Sequence, residues 1–364
     1  MSNKQRVFSA IQPSGELHIG NYLGALKNFV RLQDKYECFF FIADYHSLTE
    51  NYDPKEKPKQ ILSLALDMLA TGLDPKKCTI AVQSQISAHT ELAWIFNTIT
   101  PMGLLERMTQ YKDKAKSQKQ NVNVGLFDYP VLQAADILIY KAALVPVGQD
   151  QIQHLELSRD IARFFNAKFG KTFPEPKPLL TETAKVMSLS DPMKKMSKSH
   201  GPKTYIGISD SLETIKEKLK KAVTASSLKE LADSGMISGS TTDLGSTVVT
   251  FNKDVAGENG PANEIKKAAF GFMNLVTLLD NFGTKEHKKY FEGCIRKQDV
   301  KFSELKEALA EDVANYFAPF RAKRKELESD PDKVKDILYH GALKANLEAQ
   351  KTMKEVKEKI GLAI

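Results

Sequence analysis

Cysteine is scarce in this sequence, and the three residues present, Cys38, Cys78 and Cys294, lie far apart with no Cys-x-x-Cys pair. A disulfide framework and a zinc or iron–sulfur centre are therefore not expected, and the composition suits a reducing compartment such as the cytoplasm. Long apolar runs are also lacking, because the longest, 38–43, has the length of a strand and is too short to cross a bilayer. The N-terminal residues carry no apolar signal segment, so no export is expected.

Internal repeats and low-complexity tracts are missing as well. The 364 residues are 42% hydrophobic and 27% charged, which is typical of a globular chain with one large domain and a smaller one. The 52 basic and 45 acidic residues leave a net charge of +7. This excess permits a polyanionic partner without requiring one.

Strand-like and helical patterns alternate in the first half of the chain. The predicted strands lie near 6–11, 38–43, 79–83, 144–147 and 185–189, with helical patterns between them. Such alternation indicates an α/β fold with a parallel sheet covered on both faces. The segments 12–21, 44–46 and 148–151 each follow a predicted strand, so we expect them to converge at the carboxyl edge of the sheet, where ligands bind.

The character of the sequence changes after Gly201. Residues 206–364 read as an α-helical domain, separate from a first domain over 1–205, and the last helix is free to pack back on that first domain. The segment 238–261 is rich in glycine, serine and threonine, and no role follows from it.

The first chemically informative stretch is Gln12-Pro-Ser-Gly-Glu-Leu-His-Ile-Gly-Asn21, directly after the first predicted strand. Pro13 and Gly15 end that strand and force a turn, and a helix follows. The N-terminus of such a helix suits a phosphate, and Gly20 leaves room for a flat base or sugar. His18 adds a donor for charge that develops on a phosphoryl oxygen. The plainer alternative is a strand–turn–helix with a surface histidine.

The second stretch, Lys195-Met-Ser-Lys-Ser199, places two lysines three residues apart in a loop flanked by Gly201 and Pro202. Mobile lysines meet the charge of a pyrophosphate leaving group and then release it. A solvated basic loop is the alternative. Together, and in this order, the two stretches indicate activation of a carboxylate by ATP.

A predicted helix carries the candidate amino-acid site. Tyr129, Gln133 and Asp136 are spaced by four and three residues, which puts their side chains on one helix face. A carboxylate in an apolar pocket is costly unless it meets a donor, and an indole N–H is a donor only. A site built on that bond rejects an analogue without the donor by roughly 10⁴. The alternative is that Asp136 caps a helix.

These motifs resemble the two signatures of the class I aminoacyl-tRNA synthetases. The first signature ends here in Asn21 and follows Gln-Pro-Ser-Gly, a variant similar to the tryptophanyl members. Val145-Pro-Val-Gly-Gln-Asp-Gln151, the segment 154–160 and the segment 129–138 are similar to the same members. The resemblance implies a Rossmann-like catalytic domain followed by a helical anticodon-binding domain.

The resemblance also implies individual site residues. It assigns catalysis to His18, Lys195 and Lys198. For ATP it implies Gln12, Pro13, Ser14, Gly20, Asn21, Gly148, Gln149, Asp150, Val186, Lys195, Met196, Ser197, Lys198 and Ser199, and it brings Lys114 near the phosphates. For tryptophan it implies Asp136, Tyr129, Gln133, Phe8, His46 and Gln151. Phe8 is equally consistent with core packing, and His46 with a structural histidine.

Two positions depart from the resemblance. Gln133 stands where many bacterial relatives have methionine, and the tyrosyl members carry a similar Tyr-x-x-x-Gln-x-x-Asp helix, which slightly favours tyrosine as substrate. Pro130, the following alanine pair and Asn21 favour tryptophan. Gln149 replaces a frequent glutamate in a Gly-x-Asp-Gln motif whose other positions are kept.

The implied activity is formation of tryptophanyl-adenylate from L-tryptophan and ATP with Mg²⁺, followed by transfer to tRNA(Trp). No resident metal site is expected, and a homodimer without membrane attachment is implied. Arg321, Lys323 and Arg324 are candidates for reading the anticodon, although a solvated helix face explains them equally well. The alternatives are a tyrosyl enzyme, a small nucleotidylyltransferase with the same histidine loop, and a catalytically silent paralogue that binds RNA.

Overall fold

The structure is a computed structural model, and it describes residues 4–111, 122–148, 151–180, 184–198, 201–235, 237–243, 246–251 and 261–363. Four of the residues singled out above lie outside the described residues: Lys114, Gln149, Asp150 and Ser199.

The elements are numbered here in chain order. The strands are β1 (Arg6–Ile11), β2 (Glu37–Ile42), β3 (Cys78–Val82), β4 (Leu144–Val147), β5 (Lys177–Leu180), β6 (Ile237–Asp243) and β7 (Ser246–Phe251). The helices are α1 (Ile19–Asn21), α2 (Lys27–Leu32), α3 (Lys57–Ala70), α4 (Ala88–Asn97), α5 (Met102–Glu106), α6 (Val124–Leu138), α7 (Ile152–Phe169), α8 (Leu212–Lys220), α9 (Leu228–Asp233), α10 (Pro261–Phe282), α11 (Lys285–Lys297), α12 (Phe302–Tyr316), α13 (Ala318–Glu328) and α14 (Pro331–Ile360).

The chain divides into two compact units. The first unit contains Met1–Glu16, Ala25–Thr183 and Arg324–Ile364, and the second contains Leu17–Gly24 and Ala184–Lys323. Each unit is therefore assembled from separate stretches of chain. The functional division predicted at residue 205 stays a prediction.

A five-stranded sheet with the order β3-β2-β1-β4-β5 forms the centre of the first unit. Every neighbouring pair is parallel, as in β1 and β2, where Phe8 lies opposite Phe39. β2 and β3 are buried almost along their whole length, because a parallel sheet is covered by helices on both faces. The predicted α/β fold with a parallel Rossmann-like sheet is confirmed.

The fifth strand differs from the prediction. It is Lys177–Leu180, whereas the apolar residues near 185–189 contain a single bridging position, Met187, opposite Lys195. The backbone of this segment bonds to a nearby loop instead, since the Val186 carbonyl accepts from the Met196 N–H at 3.0 Å. A short apolar run does not reveal whether its backbone will join a sheet or a local turn.

Stacked aromatic rings form part of the core between the sheet and the residues that follow α6. The buried Tyr140 ring stacks on Phe8, with centroids 5.6 Å apart, and on Phe39, with centroids 4.6 Å apart. The last helix, α14, packs on β3 in the same unit, and Gly341 allows this close approach. A Cβ at Gly341 would lie 1.8 Å from the Ile80 carbonyl oxygen.

The second unit is mainly helical, with one hairpin. Within the glycine- and serine-rich segment, the described residues form the antiparallel pair β6 and β7, and the rest of the segment lies outside the described residues. Helix α10 packs closely at Gly271, where a Cβ would lie 1.9 Å from the Val223 carbonyl oxygen. Over the described part of the chain, no helix has the length and apolarity needed to cross a membrane.

Candidate active site

The first signature stretch starts with a tight turn after β1. The Ser14 N–H donates to the Gln12 carbonyl at 2.9 Å, and Gly15 adopts a φ of 93° that side chains rarely allow. Gln12, Pro13 and Ser14 belong to the first unit. The turn predicted from Pro13 and Gly15 is present.

His18 caps the N-terminus of the short helix α1, and it exchanges two hydrogen bonds with Asn21. The Asn21 N–H donates to His18 Nδ1 at 3.2 Å, and the His18 N–H donates to Asn21 Oδ1 at 3.2 Å. The His18 side chain is 5% exposed, so it is not the surface histidine of the plainer alternative. Gly20 makes room for this ring, because a Cβ there would lie 2.9 Å from His18 Nδ1.

The His18 imidazole is held neutral with a known tautomer. Burial, followed by the positive charges of Lys198 and Lys195, lowers the pKa of His18 from 6.5 to about 4. Since Nδ1 accepts the Asn21 N–H, the neutral ring carries its proton on Nε2. The ring is thus a neutral donor near two cations, which suits stabilisation of charge as it develops on a phosphoryl oxygen.

The lysine loop and the histidine segment belong to the same unit. The Ile19 N–H donates to the Ile206 carbonyl, and the Ile208 N–H donates to the Leu17 carbonyl, both at 3.0 Å. The segment that follows the lysine loop thereby holds the backbone on both sides of His18. Lys195 is exposed.

The lysine loop is also fixed from its other end. Met196 is buried, and its N–H bonds to Val186, while Thr204 Oγ1 donates to the Ser197 carbonyl at 3.0 Å. Predicted ATP contacts that lie in this second unit are Gly20, Asn21, Val186, Lys195, Met196, Ser197 and Lys198. Gly148 lies in the first unit, directly after β4.

Asp136 is the centre of a buried polar cluster in the first unit. Its Oδ1 accepts from His89 Nδ1 at 2.6 Å and from Gln83 Nε2 at 2.8 Å. Its Oδ2 accepts from His46 Nε2 at 2.7 Å and from Gln83 Nε2 at 2.9 Å. His89 Nε2 in turn lies 2.7 Å from the Tyr140 hydroxyl. Asp136 therefore does not cap a helix, since it lies near the end of α6 and bonds to side chains.

This cluster keeps Asp136 ionised. Burial raises the pKa of Asp136, but the hydrogen bonds and charges of His46 and His89 lower it more strongly, to about 2. We expected the buried carboxylate to need a substrate donor. The structure shows that three protein side chains already supply donors, so that reason for assigning it the indole does not hold, and the assignment itself stays a prediction.

Two strand ends meet at this cluster, but only one of them belongs to the segments 12–21, 44–46 and 148–151, whose convergence stays a prediction. His46 follows β2 and Gln83 follows β3, and both reach Asp136 at the carboxyl edge of the sheet. Asp44 links the same two loops, because its Oδ1 accepts the Ser84 N–H at 3.0 Å. Gln83 and His89 were missed by the sequence analysis. The available signal was that Gln83 ends the strand predicted near 79–83 and that His89 lies shortly beyond it in the chain.

The other predicted tryptophan contacts also lie in the first unit. The Tyr129 hydroxyl is 2.8 Å from His154 Nε2, and its ring is 6.3 Å from that of His46. Burial raises the pKa of Tyr129 to about 12, so the phenol stays protonated. Gln133 is half-buried on the same helix, and the Gln151 N–H donates to the Gly148 carbonyl at 3.0 Å.

One of the three basic anticodon candidates has a structural role. Arg324 Nε donates to the buried Asp67 Oδ1 at 2.6 Å, and Arg324 Nη2 donates to Ser63 Oγ at 2.8 Å. An arginine paired with a buried carboxylate is not part of a solvated helix face, so that alternative is wrong for Arg324. The pairing gives no support to an anticodon role, which stays a prediction.

The described residues contain no group of three or more histidine, cysteine or acidic side chains arranged to hold a metal ion. At Asp136, two imidazoles and one amide already donate hydrogen bonds to the single carboxylate.

Comparisons with known proteins agree with these features. The family model described as tRNA synthetases class I (W and Y) matches residues 1–318. A tryptophan–tRNA ligase of Caldanaerobacter subterraneus subsp. tengcongensis is 42% identical over 363 residues, covering 99% of both chains. A tryptophan–tRNA ligase of Rickettsia conorii is 41% identical over 364 residues, covering 99% of this chain and 100% of the relative.

A solved structure shows the same similarity. The crystal structure of tryptophanyl-tRNA synthetase from Campylobacter jejuni complexed with ADP and tryptophan is 36% identical, with a TM-score of 0.77. The match covers 98% of this chain and 100% of that one. A tyrosyl-tRNA synthetase from Archaeoglobus fulgidus is 20% identical with a TM-score of 0.59, which is a likeness of fold alone.

Proposed function

Because the chain belongs to the class I tRNA synthetases for tryptophan and tyrosine, we infer that its buried sites serve amino-acid activation. The chain activates L-tryptophan with ATP to give tryptophanyl-adenylate and pyrophosphate, and it transfers tryptophan to tRNA(Trp). The full-length similarity to tryptophan–tRNA ligases favours tryptophan over tyrosine, since the tyrosyl likeness is one of fold only.

The chemistry needs no protein nucleophile. The tryptophan carboxylate oxygen attacks the α-phosphorus of ATP in line, and the bond to the bridging oxygen breaks as pyrophosphate leaves. A ribose hydroxyl at the 3′ end of tRNA then attacks the acyl carbon, and AMP leaves with the bonding pair. Catalysis is therefore positioning and stabilisation of charge, as in other phosphoryl transfers.

The arrangement of His18, Lys195 and Lys198 in one unit carries the assignment of roles. Neutral His18 donates from Nε2 to the phosphoryl oxygen as its charge grows, and the two lysines stabilise the departing pyrophosphate. Gln12, Gly20 and Asn21 bind adenosine and phosphate, Gly148 and Asp150 bind ribose or base, and Val186 meets adenine through its backbone. Pro13, Ser14, Gln149, Met196, Ser197 and Ser199 complete the ATP contacts.

The amino-acid subsite lies around the Asp136 cluster. Asp136, Tyr129, Gln133, Phe8, His46 and Gln151 are its proposed contacts. The ionised carboxylate makes this end of the pocket favourable for a donor and unfavourable for an acceptor. Tyr129 stays protonated and thus remains able to donate to the substrate as well as to accept from it.

We propose that Mg²⁺ binds together with ATP. Since the described residues offer no cluster of metal ligands, the phosphate oxygens of ATP are the ligands that suit the ion. When bound, it neutralises phosphate charge. Lys195 and Lys198 supply the protein's own share of that neutralisation.

We propose that the helices after residue 206 bind the anticodon, with Arg321, Lys323 and Arg324 as candidates. A cytoplasmic location is part of this proposal, because aminoacyl-tRNA is used there.

We also propose a homodimer, and exposed apolar residues support it. Trp94 is 71% exposed, Met102 is 63% exposed and Val124 is 80% exposed. They lie on α4, α5 and α6, where both α4 and α5 pack against α6. Large exposed apolar side chains on neighbouring helices are typical of a protein–protein contact. Trp94→Asp should convert a dimer to a monomer in sedimentation, whereas Leu347→Asp, at an exposed leucine of α14, should not.

The test of function is ATP–pyrophosphate exchange across the twenty amino acids. We expect exchange with tryptophan alone. Lys195→Ala should lower kcat by roughly 10²–10³ with little change in KM for tryptophan, because it removes charge stabilisation at the leaving group. Lys194→Ala, at a neighbouring lysine paired with Asp191, is the control and should keep its rate. An unchanged rate in Lys195→Ala would contradict the assigned role.

A further inference from the structure

Tyr205 lies against the imidazole of His18 in the second unit. The two ring centroids are 5.8 Å apart, with an angle of 47° between the ring planes. Tyr205 directly precedes the residues whose backbone bonds to the chain on both sides of the histidine. In that pairing Gly207 lies opposite His18. Tyr205 is therefore placed to limit how the histidine ring moves.

The ring of Tyr205 is held by a lysine of α8. Lys218 Nζ lies 4.9 Å from the centroid of the Tyr205 ring, which is a cation–π distance. The same ammonium group donates to Asp210 Oδ2 at 2.6 Å. Since the side chains of Lys218 and Asp210 are only 12% and 14% exposed, the lysine is fixed between the ring and the carboxylate.

Asp210 extends this contact to the backbone opposite His18. Its Oδ2 also accepts the Gly207 N–H, at 2.7 Å. Lys218 therefore supports the histidine in two ways, through the tyrosine ring and through the carboxylate that holds Gly207. Removing two charges from water is costly, and a buried ion pair often adds little net stability. The positions that the pair fixes explain it better than stability does.

His18 needs such a restraint because one hydrogen bond does not fix its ring. The Asn21 N–H holds Nδ1, but the imidazole is still able to tilt about that bond. Its Nε2 has to point at the phosphoryl oxygen, and a small misplacement of a group at the reacting centre costs a large factor in rate. A ring packed against the imidazole limits the tilt without taking or giving a proton.

We propose that Tyr205 is a positioning residue that orients the His18 imidazole for adenylate formation, with Lys218 and Asp210 holding the tyrosine ring and the backbone opposite the histidine. This inference rests on the proposed function and deepens it. Tyr205 acts through His18 and not on ATP itself. Loss of its ring should therefore slow the reaction and leave the binding of both substrates unchanged.

The test is tryptophan-dependent ATP–pyrophosphate exchange in full-length variants. Tyr205→Leu removes the ring and keeps an apolar side chain, so kcat should fall roughly ten-fold, while KM for ATP and for tryptophan changes by less than about two-fold. Tyr205→Phe keeps the ring and its contact with Lys218, so it should recover most of the lost rate. Wild-type kcat in Tyr205→Leu, or no recovery in Tyr205→Phe, would overturn the inference.

A double variant measures whether Tyr205 acts through His18. Residues that work as one unit have non-additive effects on the rate. In a His18→Ala background, Tyr205→Leu should therefore lower kcat by less than about two-fold. A second loss of roughly ten-fold in that background would mean that the tyrosine acts independently of the histidine, and the inference would be wrong.

Phe302→Leu is the matched control. The Phe302 ring also contacts a second ring of the same unit, that of Phe272, with centroids 5.6 Å apart and 51° between the planes. This variant loses a similar ring contact, so it should lose stability but keep the wild-type kcat. A fall in kcat equal to that of Tyr205→Leu would overturn the inference, because any lost ring contact would then have the same effect.

A second pair of variants covers the case in which Tyr205→Leu does not fold. Lys218→Met removes the charge that holds the tyrosine ring and should lower kcat roughly two- to five-fold. Lys216→Met, on the same helix and paired with Glu311 at 3.0 Å, should keep the wild-type kcat. Equal rates in these two variants would overturn the inference.

Failure of the proposed function is a separate outcome. Wild-type protein that shows no exchange with tryptophan would refute the function. His18→Ala with the wild-type rate would refute the role of the histidine. Neither result depends on the variants of Tyr205, Lys218 or Phe302.

Discussion

Asp136 in the first unit and His18 in the second are both buried polar groups, but their surroundings favour opposite charge states. Asp136 is kept ionised, whereas His18 is kept neutral. The hydrogen bonds and charges of His46 and His89 outweigh burial and hold Asp136 ionised, with a pKa of about 2. Burial and two nearby lysines hold His18 neutral, with a pKa of about 4. The difference corresponds to their proposed tasks. A group that fixes a substrate works with a permanent charge, whereas a group that meets a developing charge works as a neutral donor among cations.

Removal of the permanent charge of Asp136 should have the largest effect. Asp136→Asn keeps the size of the side chain but brings an NH₂ group among donors. We expect kcat/KM for tryptophan in pyrophosphate exchange to fall by roughly 10³, because the pocket loses its charge and the order of its hydrogen bonds.

The control for that variant is another buried carboxylate of the first unit. Asp67→Asn weakens the ion pair with Arg324 and should lower the melting temperature without changing KM for tryptophan. Wild-type kcat/KM in Asp136→Asn would show that the charge is not used in recognition.

The neutral state of His18 predicts a pH dependence of stability. Its pKa is about 4 in the folded protein and near 6.5 when unfolded, so the unfolded state gains the proton first as the pH falls. Well above pH 6.5, His18 does not change the free energy of unfolding. By pH 5, its neutral state lowers that free energy by about 2 kcal/mol. Urea unfolding at pH 7.5 and pH 5 should show that loss in the wild type and a smaller one in His18→Asn. Equal losses would mean that His18 is not held neutral.

The smallest expected effect concerns the cap that orients His18. Asn21→Ala removes the Oδ1 that accepts the His18 N–H, and this should cost about 1 kcal/mol in urea unfolding. Thr284→Ala removes the N-cap of α11 in the same unit and should cost a similar amount. Only Asn21→Ala should also slow adenylate formation. If both variants keep the wild-type rate, Asn21 has a structural role alone.

Much of the fold followed from local patterns. Four of the five sheet strands, the turn at Gly15 and the helix carrying Asp136 were all expected from runs, spacings and turn residues. The fifth strand was misplaced because Val186 and its neighbours have the composition of a strand but bond to the loop at Met196. Local composition does not specify which backbone a segment will meet.

The candidate sites could be predicted less completely from the sequence. His18 and Asp136 were identified from motifs, but the partners that set their protonation were not. Gln83, His89 and Tyr140 had no motif of their own. Arg324 looked like any basic residue on a helix, and its partner Asp67 lies 257 positions away in the chain.

The sequence by itself determined the order of strands and helices, the two signature stretches and the kind of chemistry they serve, because these depend on residues close together in the chain. Tertiary structure alone decided that Asp136 is surrounded by donors and that His18 is neutral. Those states depend on burial and on hydrogen bonds between segments that meet only when the chain is folded.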